Sequence, residues 1–218
     1  MALAGQKRRY GYRRLHVLLR QKRWRIDRNR MYRVYGAAGL IIRRRKRIAG
    51  IDRQDKVIAQ APKQSWSMEF VSDGFVDGRR LRCLNIVDDF TKERLAVEVA
   101  TSLPGRRVAS VLERLAERRG SPRAVTVDNG PEFAGKALDE WAYLRRLRLR
   151  FIEPGKPQQN AYIESVNGKF REECLNEHWF LSMRHAREVT TAWWQEYNSE
   201  RPHSALGFLT LSRYAKVF

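Results

Sequence analysis

Two carboxylates, Asp128 and Glu164, stand in segments suited to metal chemistry. Asp128 opens the run Asp128-Asn129-Gly130-Pro131-Glu132-Phe133, and after 35 intervening residues Glu164 falls within residues 154–168, a stretch rich in Pro, Gly, Gln and Asn. A magnesium ion takes hard oxygen ligands and keeps several waters, so its sites usually draw carboxylates from separate elements. On a strongly basic chain such a pair points to metal-assisted phosphoryl transfer on DNA. Each acid alone has a plainer reading, Asp128 as a turn former beside Asn-Gly and Glu164 as a solvated helix residue.

The flanking residues indicate which elements would carry these acids. Residues 124–127 form a short β-branched run after Gly120 and Pro122, and Asn129-Gly130-Pro131 stops it, which predicts Asp128 at the end of a strand. Around Glu164 the period is helical. Ile163, Val166 and Phe170 recur at i, i+3 and i+7, while Asn160, Glu164, Asn167 and Arg171 recur at i, i+4, i+7 and i+11. The spacing predicts one apolar face and one face bearing the carboxylate.

A chain of 218 residues with 43% hydrophobic and 11% aromatic residues can build a full core plus a small extra domain. Its net charge of +20 is unevenly placed: residues 1–50 hold 17 Lys/Arg against one acid, Asp27, and the rest of the chain is close to balanced. A dense cationic segment ahead of a near-neutral body fits a polyanion-binding arm on a catalytic or structural domain. No run approaches the length of a membrane span and no signal peptide opens the chain, so an intracellular protein without a membrane role is expected. Cys83 and Cys174 lack Cys-x-x-Cys spacing, and His16, His178, His185 and His203 form no zinc pattern, so free thiols are expected.

Leu15, Leu18 and Leu19 predict a helix over residues 11–21, and Asp27 is suited to cap a second helix carrying Met31, Val34 and Tyr35, with Gly36 or Gly39 at its end. This reads as helix, turn, helix, with Arg28, Asn29, Arg30 and Arg33 on the outer side as candidates for a DNA groove. Arg43, Arg44, Arg45, Lys46 and Arg47 read as a linker that tracks phosphates. Strand-like runs then cover residues 66–72, 81–87 and 95–100, with a turn at Asp77-Gly78. A helix over 104–119, the Asp128 strand, a helix over 135–144, a strand over 149–152, the Glu164 helix and a last helix over 182–197 complete an α/β pattern: a mixed sheet with helices packed on it. Trp193 and Trp194 in the last helix read as core.

Several segments together resemble the orfB-type insertion-sequence transposases, relatives of the retroviral integrases in the RNase H-like DDE superfamily. They are Arg8-Arg9-Tyr10-Gly11-Tyr12-Arg13-Arg14-Leu15-His16, Trp66-Ser67-Met68-Glu69-Phe70, Asn85-Ile86-Val87-Asp88-Asp89-Phe90-Thr91-Lys92-Glu93, the Asp128 run, residues 154–168, and the stretch from Tyr197 to Gly207 containing Arg201-Pro202-His203. The resemblance spans nearly the whole chain and is most specific at the Asp128–Glu164 pair. It implies an RNase H-like mixed five-stranded sheet flanked by helices, preceded by a small helix-turn-helix domain, with divisions at residues 1–42, 43–63 and 64–218.

The family's third carboxylate lies on the first strand, three residues after the Trp, which is Glu69 here. The family has Asp at that place. Glutamate sets the carboxylate about 1.5 Å further out, whereas magnesium holds its ligands near ~2.0 to 2.1 Å. Asp73, four residues along the strand, lies about 13 Å away and is too far to substitute; Asp88 and Asp89 are nearer candidates, with a turn as their plainer role. A smaller departure is Thr210-Leu211, where the family tends to have Thr-Pro.

The resemblance implies two magnesium or manganese ions held by Glu69, Asp128 and Glu164, cleavage at an element's terminal inverted repeats, and strand transfer into target DNA. Lys156, Lys169 and Arg171 are candidates for holding phosphates, and Asn160 and Asn167 for orienting a DNA end or a water. His203 reads as a packed, hydrogen-bonded residue. It further implies a homo-oligomer in the bacterial cytoplasm, associated with the nucleoid, and a candidate partner in the family's separate upstream helix-turn-helix and leucine-zipper product. The alternative reading, prompted by Glu69, is a catalytically impaired DNA-binding relative acting as a repressor or assembly partner.

Overall fold

The computed structural model describes residues 2–41, 59–153 and 155–218, and the backbone but not the side chains of residues 157 and 158. The chain begins with α1 (Ala2–Gln6), α2 (Tyr12–Gln21) and α3 (Arg28–Ala37). As the sequence predicts, Asp27 caps α3, accepting from the backbone N–H groups of Asn29 at 2.8 Å and Arg30 at 3.2 Å. Gly39 beyond the helix takes a positive φ of 68° that favours glycine. Leu15, Met31, Tyr35 and Tyr10 form the buried centre of this unit. Val34 departs from expectation: it is exposed, because the residues that meet α2 are the i, i+4 pair Met31 and Tyr35.

The remainder is built on β1 (Trp66–Gly74), β2 (Arg80–Asp88) and β3 (Arg94–Ala100), then α4 (Gly105–Arg119), β4 (Ala124–Val127), α5 (Lys136–Leu144), β5 (Arg148–Phe151), α6 (Ala161–Glu173), α7 (Met183–Ser199) and α8 (Leu211–Ala215). The five strands lie in the order β3-β2-β1-β4-β5. β1, β2 and β3 form an antiparallel meander, and β4 and β5 run parallel to β1, each reached through a helix. The predicted boundaries differ by a residue or two in most elements; α1 and α8, each a single short turn of helix, were not expected.

Strand alternation divides the core. Trp66, Met68, Leu84, Ile86, Val125 and Val127 point to one face and are covered by Val108, Val111, Leu112 and Leu115 of α4 and Leu138 and Trp141 of α5. Val71, Leu81, Cys83 and Val99 point to the other and meet Phe170 of α6 and Ala186 of α7. Helices on both faces of a mixed sheet are the arrangement expected.

Two connections bear on the domain divisions. Residues 42–58, which include Arg43, Arg44, Arg45, Lys46 and Arg47 of the expected linker, lie outside the described residues. Residues 59–64 already pack with the sheet: Ala59 is buried, the Lys63 N–H donates to Asp88 at 2.8 Å, and the Lys63 carbonyl accepts from Arg123 at 2.9 Å. The helical unit is also docked on the far end of the core. Tyr10 donates to Glu196 at 3.2 Å, Arg14 donates to the Pro202 carbonyl at 3.2 Å, and Arg201, paired with Glu173 in a buried salt bridge, stacks on the Tyr10 and Tyr197 rings.

Candidate active site

Glu69 sits near the middle of β1, opposite Asn85 of β2. It points away from the α4/α5 core, because Met68 beside it points in. Asp128 follows β4 directly. Thr126 pairs with Ser67, so Asp128, two places on, belongs to the same face as Glu69. Glu164 occupies the first turn of α6, whose apolar residues Ile163, Val166 and Phe170 are buried as the sequence spacing predicts. The greasy side of α6 lies against β1 and β2, and Glu164 itself remains exposed.

Glu69 senses both other acids. Glu69, half-buried, is pushed up to about 7, first by burial and next by the charge of Glu164, with Asp128 adding a smaller push and a hydrogen bond from Asn167 partly offsetting them. Among the described residues, no three His, Cys, Asp or Glu side chains converge closely enough to hold a metal as they stand.

The loop after Asp128 is shaped by its own sequence. The Gly130 N–H donates to Asp128 Oδ1 at 2.8 Å, and a Cβ at Gly130 would stand 2.9 Å from that oxygen, so any larger residue displaces the carboxylate. Asn129 donates to the Ile152 carbonyl at 2.8 Å, tying the loop to the end of β5. Glu132 pairs with Arg82, Arg82 lies 4.2 Å over the Phe70 ring, and Phe70 stacks on buried Phe133 at 4.8 Å. The whole Asp128–Phe133 run is thereby fixed to β1, β2 and β5.

Behind Glu69 runs a buried chain of hydrogen bonds. Asn167 Nδ2 donates to Glu69 at 2.9 Å, Asn85 Nδ2 donates to Asn167 Oδ1 at 2.7 Å, and Arg94 Nη2 donates to Asn85 Oδ1 at 2.7 Å. Arg94 is fully buried against the rings of Trp193, Phe170 and Tyr197, and burial lowers its guanidinium to about 10. Sequence reasoning gave no role to Asn85 or Arg94. A signal was present: Asn85 interrupts the apolar run Leu84, Ile86, Val87, and a lone Asn in a buried strand needs partners.

Several expected contacts are placed differently. Asp88 accepts from the backbone N–H groups of Lys63, Phe90 and Thr91, and Asp89 from Ser67, so both shape the β2–β3 turn; the register sets Asp88 opposite Trp66, three residues before Glu69 on β1. Asn160 and Asn167, expected on the open face with Glu164, are buried because α6 is set low on the sheet there. Asn160 therefore presents no surface contact for DNA in this arrangement. Lys156 pairs with Glu153, Lys169 with Glu172 at 2.9 Å, and Arg171 donates to the Ser72 carbonyl at 3.0 Å. Arg28, Asn29, Arg30 and Arg33 are all exposed on the outer side of α3, and none of the three arginines forms a salt bridge among the described residues. His203 Nε2 lies 3.2 Å from the Tyr197 carbonyl with its ring edge-on to Tyr197.

A five-stranded mixed sheet with acids on β1, after β4 and on the helix following β5 defines an integrase-type core. Two models described as integrase core domain match residues 59–157 and 145–210. Over 98% of its length the chain is 51% identical to the insertion element IS407 uncharacterized 31.7 kDa protein of Burkholderia multivorans, covering 78% of that protein. It is 46% identical to the insertion element IS476 uncharacterized 39.2 kDa protein of Xanthomonas euvesicatoria, of which it spans 62%, and 25% identical to the Escherichia coli transposase InsD of insertion element IS2, of which it spans 75%. In fold it is similar to a chain of the simian T-cell lymphotropic virus intasome, with TM-score 0.65, 15% identity and coverage of 76% of this chain and 58% of that one. It is also similar to the HTLV-2 integrase catalytic core domain in complex with magnesium, with TM-score 0.55, 15% identity and coverage of 71% and 97%. The chain belongs to the insertion-element transposases of the retroviral-integrase superfamily. Among the described residues no helix is long and apolar enough to cross a membrane.

Proposed function

We propose that the protein cleaves DNA at the ends of an insertion element and joins those ends to a target, with Glu69, Asp128 and Glu164 as catalytic carboxylates. The observation that carries this reading is the placement of Glu69: on the central strand, on the face shared with Asp128, beside the helix that bears Glu164, and held by the neutral amide of Asn167. Acids so placed have an unmet demand for positive charge, and an all-oxygen donor set suits magnesium or manganese. When bound, two such ions supply activation of the attacking water or 3′-hydroxyl and neutralisation of the leaving oxygen in an in-line displacement at phosphorus. The chain's own residues do the rest. Asn167 orients Glu69, the Gly130 N–H orients Asp128, and the packed apolar face of α6 sets Glu164 over the sheet.

The outer face of α3, with Arg28, Asn29, Arg30 and Arg33, is the proposed reader of the terminal inverted repeats, and Arg43, Arg44, Arg45, Lys46 and Arg47 the proposed phosphate track behind it. Lys156, Lys169 and Arg171 would join them only by exchanging their present partners for phosphate. Assembly as a homo-oligomer on two DNA ends, action at the nucleoid in the bacterial cytoplasm, and an upstream helix-turn-helix product as partner belong to the same proposal.

The test is nicking and joining of duplex DNA carrying the element's ends by the purified chain in magnesium or manganese. Metal-dependent products that vanish in Asp128→Asn and Glu164→Gln are expected; undiminished products in both variants rule the reading out. The Glu at position 69, where the resembled family has Asp, favours a second reading, a relative that binds DNA without cutting it. That reading expects an inert wild type and metal-dependent cutting by Glu69→Asp.

A further inference from the structure

We propose that Arg148 and Arg150, on the edge strand β5, form a track for the DNA phosphodiester backbone that leads to Asp128; the inference deepens the reading of this face as a DNA-processing site. Register fixes where the two arginines lie. Arg148 pairs with Ala124 and Arg150 with Thr126, while Leu149 between them packs into the core under α4 and α5. Alternation then puts Arg148 and Arg150 on the opposite face, the one that carries Glu69 and Asp128.

That part of the face is open. α6 lies over β1 and β2 and α7 over β3, whereas Arg148 and Arg150 are exposed. Neither forms a salt bridge among the described residues, and the acid that follows them, Glu153, is paired with Lys156. Their spacing also suits the ligand. Two residues along a strand span about 6.6 Å, close to the separation of neighbouring phosphates on one strand of a duplex, whose rise of about 3.4 Å along the axis is only the axial part of each step. Asp128 comes two places after the partner of Arg150 on the neighbouring strand, so the two backbones are about 8 Å apart. A phosphodiester reacting at Asp128 would have its next phosphates over β5, and a guanidinium is the side chain best fitted to hold them. Guarding an open sheet edge against strand pairing is the competing role for charges at this place.

The experiment is a salt titration of binding to a random-sequence duplex of about 30 base pairs, by fluorescence anisotropy on the full chain without divalent metal. In Arg148→Gln/Arg150→Gln the slope of log affinity against log salt falls by about 1.8, and affinity near 0.1 M salt drops tenfold or more. Arg148→Lys/Arg150→Lys recovers most of the slope. A control pair on the outer surfaces of α4 and α7, Arg118→Gln/Arg184→Gln, removes the same charge and leaves the slope near that of the wild type. A slope unchanged in the β5 variant, or lowered equally in the control, overturns the track, and self-association of the β5 variant at unchanged slope assigns the arginines to edge protection. Cleavage by the wild type is assayed alongside. Cleavage without a slope effect removes only the track, and a slope effect without cleavage removes only the catalytic reading.

Discussion

Asn167 holds Glu69: its side-chain amide donates to the carboxylate at 2.9 Å from one turn beyond Glu164 on the same helix. The hydrogen bond links the central strand to the helix that supplies the third acid, so the two carboxylates share a support. Partners of metal-ligating groups typically carry about 10- to 100-fold in affinity or activity. Asn167→Ala should therefore lower metal-dependent cleavage by about that factor and raise the metal concentration needed for half-maximal rate, at a stability cost of about 1 to 3 kcal/mol because Asn85 Nδ2 loses its acceptor. Unchanged metal dependence would show that Asn167 does not support Glu69.

Asn85 is tied on both sides, and its loss leaves Asn167 Oδ1 and Arg94 Nη2 without partners in a buried site. Asn85→Leu should cost about 2 to 4 kcal/mol of stability by denaturant unfolding. A loss below about 0.5 kcal/mol would mean that water or another group replaces it.

The pair Glu173–Arg201 closes the joint between the helical unit and the core. Both side chains are buried, so Glu173→Gln strands a guanidinium and should cost about 3 to 5 kcal/mol, whereas Glu173→Leu/Arg201→Met removes both charges and should cost less than that single change. A double variant as unstable as the sum of its single changes would deny the coupling.

Acidity at the site has a sign that can be worked out. Glu69 is raised to about 7 by burial and by its neighbours, so the native state takes up a proton more readily than the unfolded chain. Its contribution is fully present below the unfolded value near 4.5 and is lost as pH rises through about 7. Glu69→Gln, which cannot ionise, should thus gain stability over the wild type as pH goes from about 5 to 8 in metal-free buffer. His203 acts in the opposite sense: burial lowers it to about 4, so its contribution is present above 6.5 and is lost as pH falls through about 4. Melting curves of Glu69→Gln and His203→Gln against pH check the two signs, and a gap for Glu69→Gln that stays constant with pH would contradict the first.

Much of the fold was legible because local rules and tertiary packing agree. The β-branched run ending at Asn129-Gly130 is β4, Asp27 caps α3, and the i, i+3, i+7 apolar residues of α6 are buried. Periodicity was less informative about the polar side of α6. A spacing that groups Asn160, Glu164, Asn167 and Arg171 cannot say how deep the helix sits, and depth is what separates buried Asn167 from exposed Glu164. Arg94 was illegible for a related reason: a cation beside Glu93 in sequence reads as solvated, and only the aromatic wall from α6 and α7 makes it buried. Arg148 and Arg150 needed the strand register before their face could be assigned.

The most direct measurement of the central claim is manganese binding to the metal-free protein with a duplex DNA end, followed by electron paramagnetic resonance. The wild type is expected to take up the ion with an affinity that weakens as pH falls below about 7, since binding must displace a proton from Glu69. Asp128→Asn/Glu164→Gln is expected to leave the ion in solution. Equal uptake by the wild type and that double variant would contradict a shared cation site built from Glu69, Asp128 and Glu164.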